Sequence, residues 1–341
     1  MSTNSTSPVR TTSGTRAGPP TGGVVVGYEG TWHSTPALER AAIEATERGL
    51  PLTLLTVVST ESDLRLSDEA RRTAATDRWG VASADGAAGV EAMRRRRPGL
   101  SATAELVLDA DAAGLRLVLQ HARLLVVGTA GREGVKAFLM GSTSRELARA
   151  VSCPVLVVPE TAPRRRRDRT AGPPDSDVVT GSVVVGLWHG AEAVGLLRLA
   201  ADEAARRAVR LCVLHAYPSG QTPGQARADV ELLLRQAALD HAVPVTTIVT
   251  PDAPAEALLR YADHAGLLVV GTQGPLAMAR LALRSVSRAV LDDADFPVLL
   301  VPDAVSLAAA DDAMRARNVS AGETSPRGLD AGQGAGARSH P

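Results

Sequence analysis

Gly128, Gly131 and Gly141, followed at once by Ser142 and Thr143, have the types and spacing of a phosphate cradle. The triplet comes directly after the apolar run Leu124 to Val127, so a buried strand empties into a glycine-dependent loop and then into a helix. Glycine lets the main chain approach a ligand closely and take up positive φ, and the free amides at a helix start carry partial positive charge suited to an anion. The same residues also suit a turn that needs only flexibility, and the surrounding chain has to decide between the two.

The elements that must position this loop are legible around it. Val24 to Glu29 (VVVGYE) has the pattern of a buried strand, Pro36 to Arg48 that of a helix, and Leu52 to Val58 (LTLLTVV) that of a second strand. Together they predict a right-handed unit with parallel strands. In the same half Asp68 to Arg97 reads as a long helix stopped by Pro98 and Gly99, Thr103 to Leu108 as a third strand, and Asp111 as the start of a helix carrying Leu115, Val118 and Leu119.

The stretches VVVGYEGTWHSTPAL, VVGTAGREGVKAFLMGSTS and CPVLVVP (Cys153 to Pro159) resemble the universal stress protein family, over most of the chain between about residues 22 and 303. The resemblance implies an α/β fold of two tandem Rossmann-like domains, of the adenine-nucleotide α-hydrolase-like kind. Each would hold a five-stranded parallel sheet flanked by helices, in strand order 3-2-1-4-5. It also implies ATP as cofactor, with or without Mg2+, on Gly128, Gly131, Gly141, Ser142 and Thr143. Glu29 would lie beside the ribose or base, where the family carries an aspartate one methylene shorter. Val57 would offer backbone groups to adenine. Read as bare residues, Glu29 is a surface acid at a helix start and Val57 a buried strand valine. In open sheets of this kind ligands bind beyond the carboxyl ends of the strands, at the switch between the neighbouring first and fourth strands. Glu29 and Gly128 follow those two strands, so motifs far apart in the chain converge on one crevice.

The unit occurs twice. An offset of 159 residues lays Val183 to Gly186 on Val24 to Gly27 and Leu211 to Tyr217 on Leu52 to Val58. An offset of 143 lays Leu267 to Gly271 on Leu124 to Gly128, His264 on His121 and Pro297 to Pro302 on Pro154 to Pro159. The second copy keeps Gly271 and Gly274 but has Arg284 in place of Gly141, with Ser285 and Ser287 after it, and Trp188 in place of Glu29. A side chain at position 284 would block close backbone approach, although a guanidinium can itself meet phosphate. Two losses in one site mark the second half as degenerate.

These boundaries divide the chain into a disordered tail (1–21), a first domain with the intact motif (22–160), a linker (161–180), a second domain with the degenerate motif (181–303) and a flexible tail (304–341). With 45% apolar and only 2% aromatic residues, the cores must be built from Ala, Val and Leu. Lys+Arg and Asp+Glu balance at 37 each, so bulk charge implies no polyanionic partner. No run of 18 apolar residues and no signal peptide is visible, which gives the expectation of a cytoplasmic protein without a membrane partner. Cys153 and Cys212 fall on strands at unmatched positions, as packed, reduced thiols do.

Other chemistry is thinly represented. There is no P-loop lysine motif, no GxSxG elbow and no SGGxDS-like loop, and His33, His189, His121 and His264 do not cluster at metal-ligand spacing. Asp109 and Asp252 match between copies before helices, where turn and capping chemistry explains acids better than paired catalysis does. The arginine runs 94–97 and 164–167 lack interleaved aromatics for stacking on nucleic acid. The expectation is an adenine-nucleotide-binding protein of stress adaptation with no catalytic residues and at most slow ATP hydrolysis. The alternative is a protein that binds no nucleotide and acts through its fifth strands, 154–158 and 297–301. Those strands would pair the two halves into an intrachain pseudo-dimer, or two chains into a homodimer.

Overall fold

The computed structural model describes residues 10–11, 22–58, 68–108, 115, 118–129, 153–159, 179–188, 192–239, 243–272 and 286–302. In the first half these form β2 (Val24–Gly27), a 3-10 turn (Trp32–Ser34), α1 (Thr35–Arg48), β3 (Leu52–Val58), α2 (Asp68–Arg96), β4 (Ala102–Leu108), β5 (Leu124–Gly128) and β6 (Val155–Val158). The second half repeats the pattern as β7 (Val183–Leu187), α3 (Ala193–Arg206), β8 (Leu211–Ala216), α4 (Pro223–Ala237), β9 (Val245–Thr250), α5 (Pro254–Tyr261), β10 (Leu267–Thr272), α6 (Val286–Asp293) and β11 (Val298–Pro302). A two-residue strand, β1 (Arg10–Thr11), pairs in parallel with Glu105 and Leu106 of β4, inside the stretch expected to be a tail. Val179, placed by the sequence in the linker, is fully buried in the core.

Each half has the expected order 3-2-1-4-5, but the two sheets are not separate. Strand β6 runs antiparallel to β11 with Val157 opposite Val298, Leu156 opposite Leu299 and Val155 opposite Leu300. The join produces one continuous eleven-stranded sheet, β1-β4-β3-β2-β5-β6-β11-β10-β7-β8-β9. The register is symmetric about the Leu156–Leu299 pair, since position 299 repeats position 156, and a pseudo-two-fold axis therefore passes between those residues. Two exposed edges become one buried ladder, which removes the template an open strand offers to other chains.

Strands buried on both faces read as continuous apolar runs because each alternate residue meets a different layer. Val25, Leu55 and Leu125 face one core cluster together with Val184, Leu268 and α5 residues such as Leu258. Val24, Val26, Leu52 and Leu54 face the other, with Val183, Val185 and the small-residue faces of α1 and α3. Both clusters run through both halves, so there are two cores divided by face and not by repeat. Helix α1 ends where Gly49, at φ 62°, reverses the chain and its amide bonds back to the carbonyls of Ala45 and Thr46. Helix α4 begins with a capping box in which Thr222 and Gln225 each satisfy the other's amide.

Four charged residues meet across the pseudo-axis on the α1 and α3 side. Glu44 and Arg48 of α1 have their 159-residue counterparts in Glu203 and Arg207. Arg48 bonds Glu203 at 2.7 Å and Arg207 bonds Glu44 at 2.6 Å across the halves. Arg48 also pairs with Glu44 at 2.9 Å, and Arg207 with Glu203. Both carboxylates are buried, with side-chain exposures of 0% and 6%.

Burial pushes the Cys153 thiol up to about 12 and raises that of Cys212 as well. A thiolate-selective disulfide reagent at pH 8 is therefore expected to label neither cysteine in the folded chain and both in denaturant. Labelling of Cys153 at the rate of a free thiol would contradict its packing.

Candidate functional site

Strand β2 pairs in parallel with β3 on one side and β5 on the other, which makes the β2/β5 boundary the switch point of the first half. Val26 pairs with Val126, which sets Gly128 level with Tyr28. Gly27 pairs with Leu55, so Val57 and Glu29, each two residues further on, stand at the same height. The fold thus brings Glu29, Val57 and Gly128 to one edge of the sheet. Gly131, Gly141, Ser142 and Thr143 lie outside the described residues.

The backbone at this edge is held firmly. The Tyr28 amide donates to the Leu55 carbonyl at 2.9 Å, and the Thr56 hydroxyl donates to the Tyr28 carbonyl at 2.6 Å. The Tyr28 ring lies against Gly89 of α2, where an added Cβ would come 2.9 Å from Cε1. Burial, and then the Asp85 carboxylate, raise the pKa of its phenol. Gly30 turns the chain at φ 72°, and a Cβ there would fall 2.4 Å from Oδ2 of Asp85. Only glycine satisfies both constraints. On β5 the Thr129 amide still reaches the Val158 carbonyl at 3.0 Å.

Glu29 is exposed, as a residue facing a crevice or solvent must be. Val57 departs from its reading as a buried strand valine, being 37% exposed. Val57 shares its face of the sheet with Leu55, while Val58 on the opposite face is 4% exposed, so the exposure is confined to one face at the end of β3. The exposed indole of Trp32 stacks on His33 with ring centroids 3.6 Å apart, in the turn that follows Gly30. Its second-half counterpart by offset is Ala191, so the pair belongs to the first copy alone.

The second switch point has the same frame and different contents. The Nδ1 of His215 lies 3.2 Å from the Leu187 carbonyl, in the place of the Thr56 to Tyr28 bond. Strand β7 pairs with β10, and Trp188 follows β7 as Glu29 follows β2. Its indole crosses the switch and lies on Gly271, where an added Cβ would be 2.1 Å from Cη2. The indole Nε1 donates to Oε1 of Glu192 at 2.8 Å, and the Ser287 hydroxyl donates to the Gly271 carbonyl at 3.0 Å. Gly274, Arg284 and Ser285 lie outside the described residues. The sequence marked Trp188 as a departure from the pattern. What it did not reveal is that the ring folds back over the first glycine of the motif.

The remaining candidates resolve into structural roles where they are described. Asp252 accepts from the Thr250 hydroxyl at 2.5 Å and pairs with Arg260, which is turn chemistry; Asp109 is outside the described residues. In the first arginine run, Arg94 donates to the Ala102 carbonyl at 3.2 Å, Arg95 pairs with Glu91 at 3.3 Å and Arg96 pairs with Glu39. Among the described residues no group of three or more His, Cys, Asp or Glu could hold a metal ion, and no helix is long and apolar enough to cross a membrane.

With fold and site in view, comparison with known proteins agrees with the repeat. The model of the universal stress protein family matches residues 22–159 and again 181–302. A universal stress protein of Mycobacterium tuberculosis is 30% identical over 302 residues, covering 82% of this chain and 96% of its own length. A second one from the same organism is 30% identical over 310 residues, with 82% and 94% covered. The crystal structure of a universal stress protein from Archaeoglobus fulgidus superposes with a TM-score of 0.56 over 83% of this chain and 97% of that one; at 15% identity this shows the shared fold. Two family matches in tandem, on the two halves that the offsets and the sheet topology define, establish that the chain belongs to the universal stress protein family.

Proposed function

We propose that the first half binds ATP, with or without Mg2+, and that the protein acts through this nucleotide in stress adaptation in the cytoplasm. The observation that carries the reading is the difference between the two switch points. The first ends in exposed Glu29 and exposed Val57 beside Gly128, whereas the second is filled by its own Trp188. An apolar surface and a carboxylate at the same height suit a flat base and a ribose hydroxyl respectively. The amides of Gly131, Gly141, Ser142 and Thr143 would hold the phosphates, by the spacing of the motif. A micromolar affinity corresponds to about 8 kcal/mol, within reach of several charged hydrogen bonds and burial of the base.

Titration calorimetry tests the assignment. Gly141→Arg, which copies the second half, is expected to weaken ATP binding more than about 100-fold, from the micromolar range past about 0.1 mM. Its denaturation midpoint should stay close to that of the parent. Unchanged affinity in the folded variant would remove the loop from the site. The sequence identifies no general base or arginine finger, and turnover is expected to stay below about 1 s⁻¹.

A further inference from the structure

We propose that Trp188 is a tethered occupant of the second crevice: its indole takes the place that a ligand's ring would take, the chain binds one nucleotide and not two, and removing the ring opens a site for a free flat heteroaromatic.

The geometry at the second switch point is that of a bound ligand. The atoms nearest to the Cβ that Gly271 lacks are Cη2, Cζ2 and Cζ3 of Trp188, at 2.1, 2.8 and 3.2 Å, so the six-membered ring rests on the bare glycine backbone. The other end of the indole is fixed by its one polar atom, through the 2.8 Å bond from Nε1 to Glu192. An apolar ring seated in a slot with a single polar group setting its orientation is the usual form of a small-molecule site. Indole and purine are both fused, planar bicyclic rings of similar size. The carboxylate of Glu192 can accept from a ring N–H or from an exocyclic amine. Position 188 repeats position 29 and Gly271 repeats Gly128, so the ring lies between the counterparts of the two points at the switch of the first half. Being attached to the chain, the indole competes at an effective concentration of millimolar order or above, with no association entropy left to lose. Free nucleotide has nothing to displace it with unless its affinity is far higher.

The reading does not require the first half to bind anything, apart from the count of nucleotides. An indole-sized void beside Gly271 is refilled by a small planar guest, as engineered apolar cavities are.

The test uses the full chain in a Trp32→Phe, Trp79→Phe background, so that Trp188 is the only fluorophore of its kind. Trp188→Ala should bind added indole with a dissociation constant at least tenfold below that of the parent, by calorimetry or saturation-transfer NMR, while circular dichroism reports an unchanged fold. If the folded variant takes up no more indole than the parent, the proposal is overturned. Should Trp188→Ala fail to fold, Gly271→Ala decides: its Cβ must expel the ring, and acrylamide quenching of Trp188 should rise severalfold with a red-shifted emission. Quenching equal to the parent's would overturn the proposal. In the parent, two ATP per chain would also overturn it. No ATP at all would count against the first-half site instead, and the indole result would stand on its own.

Discussion

Glu44→Ala is expected to destabilise the chain by about 3–5 kcal/mol, the cost of leaving buried cations without their counter-charge. Glu44 has no exposed side-chain surface, and it is shared by Arg40 and Arg48 of its own helix and Arg207 of the other half. Removing it takes from the Arg48 and Arg207 guanidiniums, at 13–14% exposure, one of the two carboxylates they are bonded to. Urea denaturation followed by far-UV circular dichroism measures the loss. A shift under about 1 kcal/mol would mean that the cluster is solvated and contributes as a surface pair does. Replacing Glu44, Arg48, Glu203 and Arg207 together by apolar residues of similar volume should restore most of the loss, because intact burial and not charge is what the join requires.

The same cluster gives the join a pH dependence. Burial pushes the Glu203 carboxyl up, but Arg207, Arg48, Arg206 and the hydrogen bond from Arg207 outweigh it, and its pKa ends below the ordinary value of 4.5. A carboxyl depressed on folding stabilises the native state at pH values above its unfolded pKa, and that contribution disappears as pH falls through the folded pKa. Stability should therefore decline with acidification below about pH 4.5, and Glu203→Gln should have a shallower acid slope than the parent.

Leu156→Asp is expected to have a comparable or larger effect, at least about 4 kcal/mol. Leu→Ala in a core costs about 2–5 kcal/mol, and a buried carboxylate adds a desolvation penalty. Leu156 is 1% exposed on a strand bonded to β5 on one side and β11 on the other, opposite its own repeat Leu299. The cations of the join, Arg48 and Arg207, are already paired with Glu44 and Glu203. Leu156→Met, which conserves volume, should cost less than about 1.5 kcal/mol. The readout is the denaturation midpoint together with limited proteolysis between residues 160 and 178, which should accelerate as the halves part. A tolerant Leu156→Asp would show that the two sheets do not depend on their shared ladder.

Much of this architecture was legible before any coordinates. Strands covered on both faces are apolar throughout, so VVVG, LTLLTVV and LLVVG announced themselves, and two offsets exposed the repeat. The strand order that the family resemblance implies puts Glu29 and Gly128 on one edge, and that is where the fold has them. Val57, read as a bare residue, is a buried valine, whereas its exposure depends on what lies over its face of the sheet, which no local pattern encodes. Glu44 with Arg48, and Glu203 with Arg207, have the i,i+4 spacing of ordinary surface pairs on a helix. Nothing in that spacing says that the two pairs are buried against each other.

By itself, then, the order of residues determined the repeated unit and the glycine-bearing loop after its fourth strand, because periodicity and glycine placement are local properties that the backbone must obey; the strand order, and with it the edge on which ligand chemistry belongs, is what the family resemblance of those residues implies. The sequence names the fifth strands as pairing edges, within one chain or between two; tertiary structure decided that they join the two halves of one chain, that four charges lie at the join and that Trp188 closes the second crevice. Each of those depends on side chains separated by tens of residues meeting in space, and on how much water their meeting leaves out.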